Sequence, residues 1–246
     1  MRAARIRPAG SKNGSMSQGP LALVGSGEYL PSMLEIERAL IDGRPKRYVQ
    51  IPTAASAEGE ARLRYWVDLG REQADRLGVE AVPLVVADRD QANDPEIAAQ
   101  VRGAGLIYLS GGSPALLADV LRGTALLAAI VDEWHRGAAL AGCSAGAMAM
   151  ATRVPDLRRG KHIRDGFALT PNLQVLPHFD KMLGWIPDIL TRPFLRPEAG
   201  VTLVGIDEET ALVGGPTEYE VQGRQGVHVL GDGKRRSYYA GDRLSV

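Results

Sequence analysis

Gly142-Cys143-Ser144-Ala145-Gly146 is the stretch whose residue types and spacing could do chemistry. Small residues 138–141 precede it and read as a strand, and 145–151 open a helix. A serine on a sharp strand-to-helix turn is held in strained backbone geometry, with its hydroxyl exposed at the carboxyl end of a sheet. Glycines on either side relieve contact with the neighbouring strand and helix. That is the arrangement of an acyl-transfer nucleophile; without chemistry it would be only a tight turn of small residues. Cys143 is the rival nucleophile. It lies one position before the apex, so its side chain is expected to point away and to behave as a small buried hydrophobe.

A serine hydroxyl needs a base. Of the four histidines, His135 ends an amphipathic helix, His162 sits in the charged stretch 158–164, and His228 alternates within a hairpin strand. His178 differs: Val175-Leu176-Pro177-His178-Phe179 puts it at the end of an apolar run, in a loop at a sheet edge, where catalytic groups collect. It is the expected base. A carboxylate should orient the imidazole. Asp207, Glu208 and Glu209 follow the strand 201–206, and Asp180 follows His178 by two residues; the residues alone leave the choice open. Gly111-Gly112, after the strand 105–109 and before a helix opening at Pro114, could bring backbone N–H groups close to a bound carbonyl. With the N–H of Ala145 they would make an oxyanion hole.

The elements that must position these groups alternate. Short apolar strands at 21–24, 47–51, 79–86, 105–109 and 138–141 are separated by helical patterns at 31–42, 57–77, 95–102, 114–122 and 125–136. This is the pattern of an α/β fold, a mostly parallel sheet flanked by helices. The stretch 152–172 reads as a surface excursion. Beyond residue 200 short strands at 201–206, 211–213, 219–222, 227–230 and 237–239 predict a return to the core sheet followed by an antiparallel meander. Residues 1–18 are expected to be a disordered extension, with Met16 as an alternative start, and 19–246 one α/β hydrolytic domain.

The 246 residues carry 29 basic and 29 acidic side chains, a formal net charge of zero. Nucleic-acid binding normally shows a basic excess. Residues 1–15 contribute Arg2, Arg5, Arg7 and Lys12 and no acid, so the remainder has 25 basic against 29 acidic residues, a net of −4. One cysteine cannot form an internal disulfide, and a reducing cytoplasm is the expected compartment. No window supplies the roughly 18 uninterrupted apolar residues of a membrane span. The histidines lack metal-ligand spacing. Gly25-Ser26-Gly27 lacks the later glycine of a dinucleotide fingerprint and no Walker lysine follows, so neither metal nor cofactor is expected.

Taken in order, Gly25-Ser26-Gly27-Glu28, the Gly111-Gly112 turn, Gly142-Cys143-Ser144-Ala145-Gly146-Ala147, Pro177-His178-Phe179 and Gly205-Ile206-Asp207-Glu208-Glu209-Thr210-Ala211 resemble the cyanophycinase and aspartyl dipeptidase (peptidase E) family of serine peptidases. The resemblance runs from residue 20 to about 213. It implies a class I glutamine amidotransferase-like fold, a flavodoxin-like three-layer sandwich with an antiparallel β-rich C-terminal end. It also implies a triad of Ser144, His178 and Glu208, with Asp207 and Asp180 in reserve for the acid and Gly112 and Ala145, with Gly111, at the oxyanion. Two departures bear on substrate. Gly111-Gly112 is followed by Ser113-Pro114, without the Gln or Thr often found there. The run after His178 is Asp180-Lys181-Met182-Leu183-Gly184-Trp185-Ile186-Pro187, with little positive charge, so cyanophycin is an unexpected substrate and Trp185 and Ile186 point to an apolar pocket wall. The expected partner is a small peptide-like substrate, with homodimer formation possible. An amidotransferase-like domain and a non-enzymatic binding protein on the same fold are the competing functions; the first is disfavoured by serine at the apex.

Overall fold

Apolar strands in this chain are read on two faces. β1 (Leu21–Val24), β2 (Arg47–Ile51), β3 (Glu80–Pro83), β4 (Leu106–Leu109) and β5 (Ala139–Cys143) pair in parallel in the order β1-β5-β4-β2-β3. Alternate side chains of a strand point to opposite faces. Leu21, Leu23, Val49, Ile51, Ile107, Leu109 and Leu140 accordingly join one buried cluster, while Ala22, Val24, Tyr48, Leu106, Tyr108, Ala141 and Cys143 join another. The helices α1 (Leu34–Ile41) and α2 (Glu60–Leu77) cover the second face. The first is covered by α3 (Arg89–Ala92), α4 (Pro95–Ala99), α5 (Pro114–Leu121), α6 (Ala125–His135) and α7 (Ala145–Met150). The structure, a computed structural model, describes residues 18–155, 163–181, 199–231 and 234–246. Residues 1–17 of the expected N-terminal extension, His162, Trp185 and Ile186 lie outside them.

A short hairpin, β6 (Arg153–Pro155) with β7 (Ile163–Asp165), forms the excursion after α7. The expected return strand departs from prediction. β8 (Leu173–Leu176) and β9 (Thr202–Ile206) pair in parallel in a second sheet, and β10 (Thr210–Gly214) is the strand that joins the core sheet, antiparallel to β1. The chain then alternates. β11 (Glu218–Gly223) lies beside β10, β12 (Gly226–Gly231) and β13 (Lys234–Tyr239) extend the second sheet, and β14 (Arg243–Ser245) returns to the edge of the first. The reason is visible in β9. Val204 and Ile206 face the main core, and Leu203 faces a small cluster with Leu176 and Phe179. A strand covered on both faces reads as a continuous apolar run whichever sheet it belongs to. The consequence for function is that Asp207-Glu208-Glu209 is the crossing between sheets rather than an ordinary hairpin turn.

Helix starts are locally encoded. Asp88, Asp94, Ser113 and Thr124 cap α3 to α6 with side-chain oxygens on backbone N–H groups, and Pro95 and Pro114 occupy first-turn positions. The expected helix 57–77 is split: a 3₁₀ segment, Thr53–Glu58, precedes Gly59, and the α-helix starts at Glu60. No single described helix is long and apolar enough to cross a membrane.

One core carboxyl has a testable consequence. Glu37, on the inner face of α1, is 2% exposed, and burial pushes its carboxyl up from 4.5 to about 8. Gln73 and Tyr48 pull it partly back down, yet neither carboxyl oxygen completes a hydrogen bond. The folded protein thus holds this proton where the unfolded chain has released it. Stability from Glu37 is full below about pH 4.5 and declines as pH rises to about 8, by a few kcal/mol. Urea midpoints measured across that window should fall less steeply for Glu37→Gln than for the native chain; parallel declines would refute the assignment.

Candidate active site

The elbow forms because two glycines meet. A Cβ on Gly142 would stand 2.6 Å from the backbone carbon of Gly146, and one on Gly146 would stand 2.3 Å from the carbonyl oxygen of Leu109. Neither obstacle is a flexible side chain, so β5 can turn into α7 against β4 only with hydrogen at both positions. Gly146→Ala should therefore destabilise the protein by about 3 kcal/mol, read as a lowered urea midpoint; an unchanged midpoint would show that β4 yields. At the apex Ser144 has φ 49° and ψ −103°, a left-handed backbone that costs a non-glycine residue about 1–3 kcal/mol and concentrates at functional sites. Its N–H donates to the Val24 carbonyl at 2.9 Å, which ties the apex to the end of β1.

Ser144 Oγ lies 3.0 Å from His178 Nε2, and His178 Nδ1 lies 3.1 Å from Glu208 Oε1. His178 leaves the end of β8 with φ 51°, so base and serine are both held on strained turns. Glu208 stands on the crossing between sheets. Three bonds hold its backbone: its N–H donates to Asp180 Oδ1 at 3.0 Å, and its carbonyl accepts from Gln225 Nε2 and from Thr210 Oγ1, each at 3.1 Å. The loops of His178 and Glu208 are thereby cross-tied, imidazole to carboxylate one way and carboxylate to backbone the other. The side chains of His178 and Glu208 are 42% and 31% exposed, so solvent and substrate reach the pair.

The reserve acids face elsewhere. Asp180 supports Glu208 from behind, as above. Asp207 turns inward: its Oδ2 bonds His228 Nε2 at 2.9 Å and the Gly226 N–H at 3.1 Å. Asp207 is 7% and His228 2% exposed, and the Phe179 ring lies against the imidazole with centroids 5.1 Å apart. This buried pair joins the end of β9 to β12 beneath Phe179, the neighbour of His178. Alternation in a hairpin strand placed His228 correctly but did not reveal its partner.

The turn after β4 carries the oxyanion candidates. Gly112 has φ 137°, and a Cβ there would stand 2.4 Å from the Ala54 carbonyl oxygen, so only glycine fits. The N–H groups of Gly112 and of Ala145, the latter in the first turn of α7, donate to no other described residue. Gly111 does not share this role, because its N–H is taken by Glu28 Oε1 at 2.9 Å. Cys143 is buried, as its position before the apex predicts, and its Sγ lies 2.7 Å from Glu28 Oε2. Burial foremost, with the Glu28 carboxylate second, pushes its thiol well above the ordinary range. A thiolate nucleophile is disfavoured there. At the level of sequence Glu28 stands with the first glycine turn but has no assigned role, although an acid directly after a glycine turn at the end of a buried strand is a signal of its own. Among the described residues no group of His, Cys, Asp and Glu is arranged to hold a metal ion.

A family model described as Peptidase family S51 matches residues 21–219. The structure is similar to the crystal structure of a peptidase from an acI-B1 Actinobacterium, with TM-score 0.88 and 43% identity, over 94% of this chain and 98% of that one. It also resembles a candidate peptidase E protein from Listeria monocytogenes EGD-e, with TM-score 0.61 and 18% identity, over 92% of this chain and all of that one; at that identity the likeness is one of fold, the class I glutamine amidotransferase-like arrangement. No curated protein matches the chain.

Proposed function

This chain belongs to peptidase family S51 and is a serine-type peptidase, and from that premise we propose that Ser144, His178 and Glu208 are its catalytic triad, acting on a small peptide-like substrate. The observation that carries the reading is the continuous chain of contacts from Ser144 Oγ through both nitrogens of His178 to Glu208, at 3.0 and 3.1 Å. In the reaction His178 Nε2 accepts the serine proton as Oγ bonds to the scissile carbonyl carbon. Glu208 keeps Nδ1 protonated and balances the imidazolium. The carbonyl oxygen becomes an oxyanion held by the N–H groups of Gly112 and Ala145. His178 then donates its proton to the leaving amine as the C–N bond breaks, and water attacks the acyl-enzyme by the same route in reverse.

Charge around the site supports a small substrate over a polyacidic one. Lys181 lies 3.9 Å from Glu208, and Arg224 lies 3.1 Å from Glu209. Both stand beside protein acids, and the run 180–187 after His178 adds no other cation to receive a line of substrate carboxylates. Cyanophycin is accordingly not the substrate we propose. The reading is tested with a panel of dipeptides and blocked peptides alongside cyanophycin. Release of amine from short peptides, without cyanophycin degradation, is expected; efficient cleavage of the polymer would refute the substrate assignment.

A further inference from the structure

Two adjacent side chains outside the triad converge on the turn that carries the oxyanion donor. Glu28 Oε1 accepts the Gly111 N–H at 2.9 Å, and Tyr29 Oη lies 2.6 Å from Ser110 Oγ. Gln50 Nε2 donates to the same tyrosine oxygen at 2.8 Å, which leaves the phenolic proton for Ser110. The other oxygen of Glu28 faces Cys143 Sγ at 2.7 Å, one residue before the nucleophile. A single carboxylate thus spans the turn after β4 and the end of β5. It lies close in: a Cβ placed on Gly111 would be 2.6 Å from Glu28 Oε1 and 3.7 Å from Ser144 Cβ.

The backbone explains how neighbours reach the same place. In extended chain, successive side chains diverge to opposite faces. Tyr29 has φ 67° and is 3% exposed. That left-handed step, rare for an aromatic residue, turns the chain so that residues 28 and 29 both address Ser110-Gly111. Strain of this kind persists only where surrounding contacts over-determine it; here Ser110 and Gly111 hold the pair to one turn, while Gln50, Arg76 and Cys143 anchor it from β2, α2 and the end of β5.

We propose that Glu28 and Tyr29 are positioning residues, a clamp that sets the distance between the Gly112 N–H and Ser144 and so holds the oxyanion hole open at the right width. By taking the Gly111 N–H, Glu28 also assigns the oxyanion to Gly112 and Ala145. The proposal rests on the triad reading above and deepens it.

An alkyl fluorophosphonate tests it without knowledge of the substrate. In labelling, the Ser144 Oγ–P bond forms, the P–F bond breaks, fluoride leaves and the serine proton passes to His178; the phosphoryl oxygen gains charge where the oxyanion donors stand. The second-order rate of labelling at Ser144, located by peptide mass spectrometry, should fall about 10²-fold in Glu28→Ala. Glu28→Gln retains an acceptor for the Gly111 N–H and should stay within about tenfold of the native rate. Urea midpoints measured in parallel separate this from unfolding, since a structural role alone slows labelling only in proportion to the folded fraction lost. Should Glu28→Ala not fold, Tyr29→Phe carries the test, with labelling expected to slow about tenfold. Native labelling at Ser144 with unchanged rates in the folded variants overturns the clamp alone, as does a Glu28→Gln rate as low as that of Glu28→Ala. Absence of native labelling at Ser144 overturns the triad and the clamp with it.

Discussion

Ser144→Ala should lower kcat for any peptide this protein cleaves by roughly 10⁴- to 10⁶-fold while leaving the fold intact. Among the described residues the hydroxyl has one polar contact, His178 Nε2 at 3.0 Å. Alanine keeps the same Cβ, so the left-handed backbone at φ 49° is no more strained than before. Thermal and urea midpoints should therefore match the native protein closely. What survives is the catalysis that the two oxyanion N–H groups and substrate binding supply without a nucleophile. Steady-state hydrolysis of the best peptide in the panel measures this directly. Residual activity above a few per cent would remove Ser144 from the chemistry, and Cys143 could not replace it, given a buried thiol held protonated.

The second large effect separates two neighbouring acids. Glu208→Gln should lower kcat by roughly 10³- to 10⁴-fold, because an amide N–H facing Nδ1 favours the tautomer in which Nε2 already carries a proton and cannot accept one from Ser144. Asp207→Asn should act on stability instead. It removes the carboxylate that accepts from the Gly226 N–H and bonds His228, a ring that also meets Arg235 and Ser237, at a site nearly inaccessible to solvent, and leaving such buried polar groups short of their partner costs about 1–3 kcal/mol. Its folded fraction should still turn over at close to the native rate. Parallel measurements of kcat and urea midpoint for both variants decide the matter. Equal losses of kcat would mean that the inner pair and the outer carboxylate act as one unit; a loss confined to Asp207→Asn would reverse the assignment.

That distinction marks where local reading ends. Residues 207 to 209 form a run of three acids, and nothing in their order says which one meets a histidine thirty residues earlier. The choice is made by β9 joining β8 in a second sheet while β10 joins β1. The crossing turns Asp207 down towards His228 and Glu208 out towards His178. A strand covered on both faces has the same apolar signature in either sheet, so the expected return to the core sheet after residue 200 could not be distinguished from the actual path. Glu28 is a similar case. Its partners are 83 and 115 residues away, and no periodicity reports a contact made by one side chain across a sheet's end.

What the sequence by itself determined is the local machinery. Five short strands alternating with helices dictate a parallel sheet, because each element buries an apolar face that only the layers on either side can cover. Gly142 and Gly146 dictate the elbow, because no Cβ fits where β5 turns over β4. Apolar Val175-Leu176 followed by Pro177 dictates a strand that stops just before His178. Each of these follows from interactions within a few residues or from a repeating pattern. The tertiary structure alone decided which carboxylate faces the imidazole, that the Gly111 N–H is taken by Glu28, and that the N–H groups of Gly112 and Ala145 are left without a partner among the described residues. Those assignments depend on hydrogen bonds across long sequence separations, whose partners exist only once the two sheets have closed on the same core.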